Sequence, residues 1–233
     1  VRAVEPRRGH EGGRRGSLLP ALALLAGIAA LGLAMPVLGQ DDAQPGASVL
    51  LPPRVDDWLP NDWWTPERVV SGRLNDDAFD DLAVVVRRQV EAPDDPAFPR
   101  GSRALFVIYG GADGVWRRGP LVAGLLPCAD CTNALGGNIG SAVLELDINQ
   151  DGLLEVSWIE HRRFVKAVRL LIGWDATYGA LGLHADDVRI LRRRGGPSHV
   201  RRDYRAGRIW VDGVAQEMPA RFIPIEDVSA ASY

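Results

Sequence analysis

SAVLELDINQDGLLEVSWIEHRRFVKAVRLLIGW, residues 141–174, decides the fold class. Three apolar, β-branched runs, SAVLELDI (141–148), LLEVSWI (153–159) and FVKAVRLLIGW (164–174), are separated by turns of a few residues. In the second run Leu154, Val156 and Trp158 share one face by the two-residue strand period, while Glu155 and Ser157 point the other way. Alternation cut by Asn/Asp/Gly turns predicts antiparallel hairpins rather than the strand–helix–strand units of a parallel sheet.

The same signal extends in both directions. LAVVVRRQV (82–90), ALFVIYG (104–110), DVRILRR (187–193) and GRIWVDG (207–213) are further β-rich runs, with EAPDDPAFPRG (91–101) and Gly110–Gly114 as connections. Only residues 118–126 and 65–70 read as briefly helical. The expected fold is all-β: a single compact antiparallel β domain with blade-like hairpins over residues 69–215. A small β-propeller is the alternative, but about four blades of ~40 residues would consume almost the whole chain after the leader. Residues 40–68 read as a Pro/Asp-rich leader and 216–233 as a C-terminal tail. Trp58, Trp63 and Trp64 fit packing at a sheet edge better than an exposed platform.

Residues 1–39 read as a secretory signal peptide. Arg2, Arg7, Arg8, Arg14 and Arg15 precede an uncharged stretch, 17–38, and small residues precede a cut expected at Gly39–Gln40. The alternative is a membrane anchor through residues 17–38, which are long enough to span. The expected address is periplasmic or secreted, with no stable membrane span after cleavage. Of 27 Lys+Arg and 30 Asp+Glu, five and two lie before Gln40, leaving 22 and 28, a balance of about −6. That balance excludes a strongly basic nucleic-acid binder on net charge. Export also changes what Cys128 and Cys131 mean: an oxidising compartment favours a short structural disulfide over a redox pair or a metal site.

Asp147-Ile148-Asn149-Gln150-Asp151-Gly152-Leu153-Leu154-Glu155 is the sharpest local signal. Oxygen-bearing side chains at Asp147, Asn149, Asp151 and Glu155, with the Leu153 carbonyl and a turn glycine, suit a hard cation such as calcium in a structural role. An EF-hand would need Glu at the position held by Trp158 and two flanking helices, so that assignment fails. A plain Asn/Asp/Gly hairpin turn needs the same chemistry without metal. SGRLNDDAFDDLAVVV (71–86) echoes the loop, with Asn75, Asp77 and Asp81 in matching places, Arg73 at the first position and Ala78 for the glycine. A guanidinium there neutralises carboxylates directly.

That second segment resembles the acidic motif of FG-GAP/VCBS-type repeats, found in secreted proteins and integrin-like propellers. The resemblance implies calcium held between neighbouring strands by Asn75, Asp77 and Asp81, with Arg73 departing from the pattern. Residues 104–233 are also similar to exported, uncharacterised bacterial proteins through Cys128/Cys131, VRLLIGWD (168–175) and DYRAGRIWVDG (203–213), and the two likenesses together span about residues 69–213. No activity follows from either likeness.

Eight arginines, Arg189, Arg192, Arg193, Arg194, Arg201, Arg202, Arg205 and Arg208, surround a single acid, Asp203. They suggest a basic face for an envelope protein or an anionic polymer, against a solvated surface whose arginine stems cover their neighbours. Ser157, Glu160, His161, Asp175 and His184 are the hydrolytic candidates, but no G-x-S-x-G or H-E-x-x-H motif frames them. The expectation is therefore a non-catalytic exported, envelope-associated binding or structural module, calcium-stabilised. A hydrolase acting on cell-envelope material is the alternative.

Overall fold

The computed structural model describes residues 53–129, 143–161, 164–192 and 196–233. Among them lie twelve strands, three single-turn 3-10 helices and no α-helix. Every strand pairing is antiparallel, in two sheets. The first sheet runs in the order β1 (Trp64–Gly72), β2 (Asp81–Arg88), β3 (Arg103–Tyr109) and β4 (Arg117–Arg118), with β5 (Val122–Ala123) also against β3. The second is a seven-stranded meander: β6 (Val143–Ile148), β7 (Leu154–His161), β8 (Val165–Asp175), β9 (Ala180–Leu191), β10 (Pro197–Asp203), β11 (Arg208–Val211) and β12 (Val214–Glu217). The fold class is all-β, as expected. Among the described residues there are two sheets, where a small propeller needs about four blades.

The apolar patterns explain the layering. In β7 the alternation places Leu154, Val156 and Trp158 in the core. They meet Ala83, Val85, Leu105 and Val107 of the first sheet in one continuous cluster. β2 and β3 do not alternate, because both their faces are covered. Their second face, Leu82, Val84, Val86, Ala104, Phe106 and Ile108, lies under Val55, Trp58, Leu59, Phe98 and Trp116. Trp64 is buried there and meets Phe98 edge-on at 5.4 Å, a packing role, while Trp63 stays exposed.

Several local expectations fail, each for a packing reason. Residues 65–70 are strand, not helix: Arg68, Val69 and Val70 pair with Val85, Val84 and Ala83, and Pro66 sits at a bulge on the sheet edge, where a missing N–H costs no ladder bond. Residues 118–126 are not helical either; Gly119, Pro120 and Gly124 break them into β4, β5 and bends, with Leu125 and Leu126 buried. Residues 216–233 are more than a tail. Ile225 and Val228 enter the core, and Tyr233 meets Trp158 edge-on at 6.2 Å. The strand content of Ala180–Ala185 and of β10 was not expected, since Gly, His, Asp and Arg are poor strand formers.

Residues 1–52 and Cys131 lie outside the described residues, and with them the signal-peptide reading and one half of the predicted bridge. No helix among the described residues is long and apolar enough to cross a membrane. Cys128 Sγ lies 3.0 Å from the Gly101 carbonyl oxygen, which also accepts the Ala129 N–H.

Candidate functional site

β1 and β6 open their sheets, and each leads into one of the acidic loops. The end of β1 presses on the end of β6: a Cβ on Gly72 would lie 2.9 Å from Ile148 Cγ2. Beyond them the loops touch through backbone. Gly152 turns with φ +71°, and a Cβ there would lie 2.8 Å from the Arg73 carbonyl oxygen. Two motifs that begin 74 residues apart thereby become the walls of one cleft of about 510 Å³. Its lining includes Asn75, Asp76, Asp77 and Asp80 from one loop, Asn149 and Asp151 from the other, and Arg73 as its one cation.

The eight residues expected to bind calcium divide into four groups. Asn75, Asp77, Asn149 and Asp151 line the cleft. Asn75 Oδ1 accepts the Asp77 N–H, Asp77 Oδ1 accepts the Phe79 N–H, and Asn149 Oδ1 accepts the N–H groups of Asp151 and Leu153. These are side-chain turns that hold the loops without metal. Leu153 is spoken for: its carbonyl accepts the Asn149 N–H at 3.0 Å. Asp147 and Glu155 stand opposite each other on β6 and β7, outside the cleft, and Glu155 forms a bidentate pair with Arg169.

Asp81 has a different task. It is fully buried, and its two oxygens accept the N–H groups of Leu74 (2.9 Å) and Gly110 (3.0 Å). Burial pushes its carboxyl above the ordinary range, against the pull of those backbone donors. Burial, with help from Asp81, likewise pushes the Tyr109 hydroxyl up to about 12. As two separate loop sites the predicted ligand sets do not fit a metal. Among the described residues no three His, Cys, Asp or Glu side chains are grouped to hold one. The cross-loop cleft offers oxygen donors only, which is the donor chemistry a hard cation takes.

The hydrolytic candidates are dispersed. Ser157 lies on the solvent face of β7, where its hydroxyl donates to Glu145, and His161 is exposed at the strand end. Glu160 faces inward between the Trp158 indole N–H and Lys166. Asp175 caps a turn through the Thr177 N–H. His184 is buried flat against Gly173, its Nε2 without a hydrogen-bond partner among the described residues, and burial holds its pKa low, aided by Arg205.

Arg193 and Arg194 lie outside the described residues; among the described ones the arginine run does not form one face. In β10 the strand period sends Arg201 outward, over the Trp210 ring, and Arg202 inward to buried Asp186 at 3.0 Å. Tyr204 donates its hydroxyl to the same carboxylate at 2.8 Å. This cluster, and the half-buried bidentate pair Arg103–Glu67, were not read from the sequence, because each joins residues on different strands. Asp76 and Asp80 were also missed as cleft residues, although they adjoin predicted ligands and were legible as part of the acidic run. No family model, curated protein or solved structure matches this chain.

Proposed function

We propose that this chain is a non-catalytic, exported, envelope-associated binding or structural module whose acidic cleft takes up a calcium ion as a cross-link between the two sheets. The observation that carries the reading is that Asp76, Asp77 and Asp80 of one loop and Asp151 of the other line a single cleft with one arginine in it; no three of them are preset around an ion, so binding has to draw the two loops together. Clustered carboxylates repel one another, and a divalent cation removes that repulsion. The separate placement of Ser157, Glu160 and His161 supports a module over a hydrolase.

Calorimetry on chelator-stripped protein tests the cation. A dissociation constant of about 10⁻⁴ to 10⁻³ M is expected, typical of modules outside the cell. At five times that concentration, calcium adds about 1 kcal/mol of stability by linkage and raises the melting temperature by about 2–4 °C. Asp77→Asn with Asp151→Asn should abolish both effects while leaving the turns intact. Absence of heat and of a melting shift at millimolar calcium rejects the cation.

The address rests on the arginine-rich start and the uncharged stretch 17–38. Protein recovered from the cell envelope should begin near Gln40 on N-terminal sequencing. The same material, alkylated without reductant and weighed intact, should carry no label, because Cys128 and Cys131 are bridged. Full-length protein confined to the cytoplasm would reject export, and two labelled thiols would reject the bridge.

A further inference from the structure

β9 carries one extra residue, and it is a histidine. Ala185 stands opposite Leu171 and Leu183 opposite Ile172, so His184 falls in a bulge between them. Bulges re-aim the side chain they add. Ile172, Leu181 and Leu183 point into the core, and the imidazole turns along the outer face onto Gly173 of β8. A Cβ on Gly173 would lie 2.3 Å from His184 Cε1 and 2.6 Å from Leu153 Cδ2. Directly opposite Gly173 stands Gly182, where a Cβ would lie 2.3 Å from Phe222 Cε2. Two bare glycines thus make one floor, covered by His184 and Leu153 on one side and by Phe222 of the C-terminal segment on the other.

The bulge is also a junction. On its β10 side, Ala185 pairs with Asp203 and the His184 carbonyl accepts the Tyr204 N–H at 2.8 Å. One residue earlier the edge of β9 passes to the C-terminal segment: the Leu183 N–H donates to the Ile223 carbonyl at 2.8 Å, and Gly182 bridges to Pro224. Residues 218–224 are held further by the Met218 and Arg221 N–H groups, which donate to Gly207 and Tyr204. Phe222 stacks on exposed Tyr178 at 4.2 Å. Beyond this segment the chain carries Ile225 and Val228 into the core.

The imidazole is only 9% exposed, and its Nε2 has no hydrogen-bond partner among the described residues. A neutral imidazole can leave one nitrogen as a bare acceptor, whereas an imidazolium makes donors of both. A buried donor with no acceptor costs the full desolvation of that group. Charges reach the ring from three places. Asp175 at the end of β8 and Asp203 at the end of β10 favour its protonation, and Arg205 in the following turn opposes it. Burial is the largest influence and holds the pKa below the ordinary value. Leu153 and Phe222 bring no charge, and Arg221 lies over the Tyr204 ring.

We propose that His184 is an acid-released latch on the C-terminal segment: neutral, it fastens residues 218–224 to β9, and protonated it lets them go. The charged ring has to leave Gly173 for water, which reshapes the bulge beside the Leu183–Ile223 bond and bares the floor that Phe222 shares. The latch does not depend on calcium, so it stands or falls apart from the cleft. Its direction with pH is fixed. The released ring binds a proton with the ordinary affinity of an imidazole, and the latched ring binds it less tightly. Latching is therefore full above about pH 6.5 and is lost as pH falls from there through the latched value.

Hydrogen exchange on the full chain, with calcium chelated, tests the latch at the Leu183 N–H. After correction for the intrinsic rate, exchange there should quicken by about fivefold from about pH 7.5 to about pH 5.5, while the amides of β2 keep their protection. His184→Phe keeps a flat ring on Gly173 that cannot titrate, and should abolish the rise. Arg205→Gln leaves the histidine and removes the cation that opposes its protonation, so the rise should shrink to about half. Arg205 is exposed, so this variant decides the matter should His184→Phe fail to fold. A flat exchange rate in the native protein, or the same rise in His184→Phe, overturns the proposal. So does a rise in Arg205→Gln equal to the native one, or one shared by β2, which would mean acid unfolding of the whole domain.

Discussion

Asp186→Ala will destabilise the domain by about 2–4 kcal/mol, read as a lower urea midpoint at unchanged slope. Asp186 is 1% exposed on the inner face of β9 and gathers Arg202 and Tyr204 from the neighbouring strand and its turn. Removing it leaves the Tyr204 hydroxyl buried without its acceptor and Arg202 without its counter-charge. Breaking a fully buried pair costs about 3–5 kcal/mol, but Arg202 keeps about a third of its surface in water, which discounts that figure. Tyr204→Phe removes one neutral donor and should cost about 1–2 kcal/mol. The two substitutions share one carboxylate, so their effects will not add: the double variant should fall short of the sum by at least about 0.5 kcal/mol. Strict additivity, or a loss below about 1 kcal/mol for Asp186→Ala, would show that the cluster is decoration on an apolar core.

That cluster also marks where the sequence stops being readable. Leu154, Val156 and Trp158 announce their strand because each makes its contribution alone, by period and burial. Asp186 and Arg202 spoil the β-propensity of their strands, and only the partner across the ladder turns them into strand residues. Arg68–Val70 were misread for a related reason. Thr65-Pro66-Glu67 looks like a helix start, and the bulge that accommodates Pro66 exists only because β2 lies alongside. The acidic loops were legible as chemistry and illegible as geometry. Spacing within each loop suggested two self-contained ligand sets, whereas the contact of β1 with β6 builds one cleft from the near halves of both. Glu155 was assigned by loop position, but strand register carries it to the solvent face beside Arg169.

Asp81 carries the largest consequence of that misreading. In the repeat motif it resembles a cation ligand, yet its carboxylate ties the start of β2 to Leu74 in the preceding loop and to Gly110 at the end of β3. Both bonds are buried, and each leaves an unpartnered backbone N–H when removed, at about 1–3 kcal/mol apiece. Asp81→Ala should therefore cost about 2–6 kcal/mol, whereas a ligand role predicts a loss that appears only when calcium is present. Asp81→Asn is the sharper probe. It keeps one carbonyl acceptor and turns an amide N–H₂ toward the other donor, so it should cost about half as much. Its pH dependence has a definite sign. The folded-state pKa of Asp81 is raised by burial, so the stability that this group contributes is full below its unfolded value of about 4 and is lost as pH rises through the folded value. Asparagine cannot titrate and shows no such loss. The gap between native protein and Asp81→Asn should thus be widest in mild acid and narrow toward neutrality, with calcium chelated throughout. A gap that widens with rising pH, or vanishes on chelation, would return Asp81 to the cation and remove it from the fold.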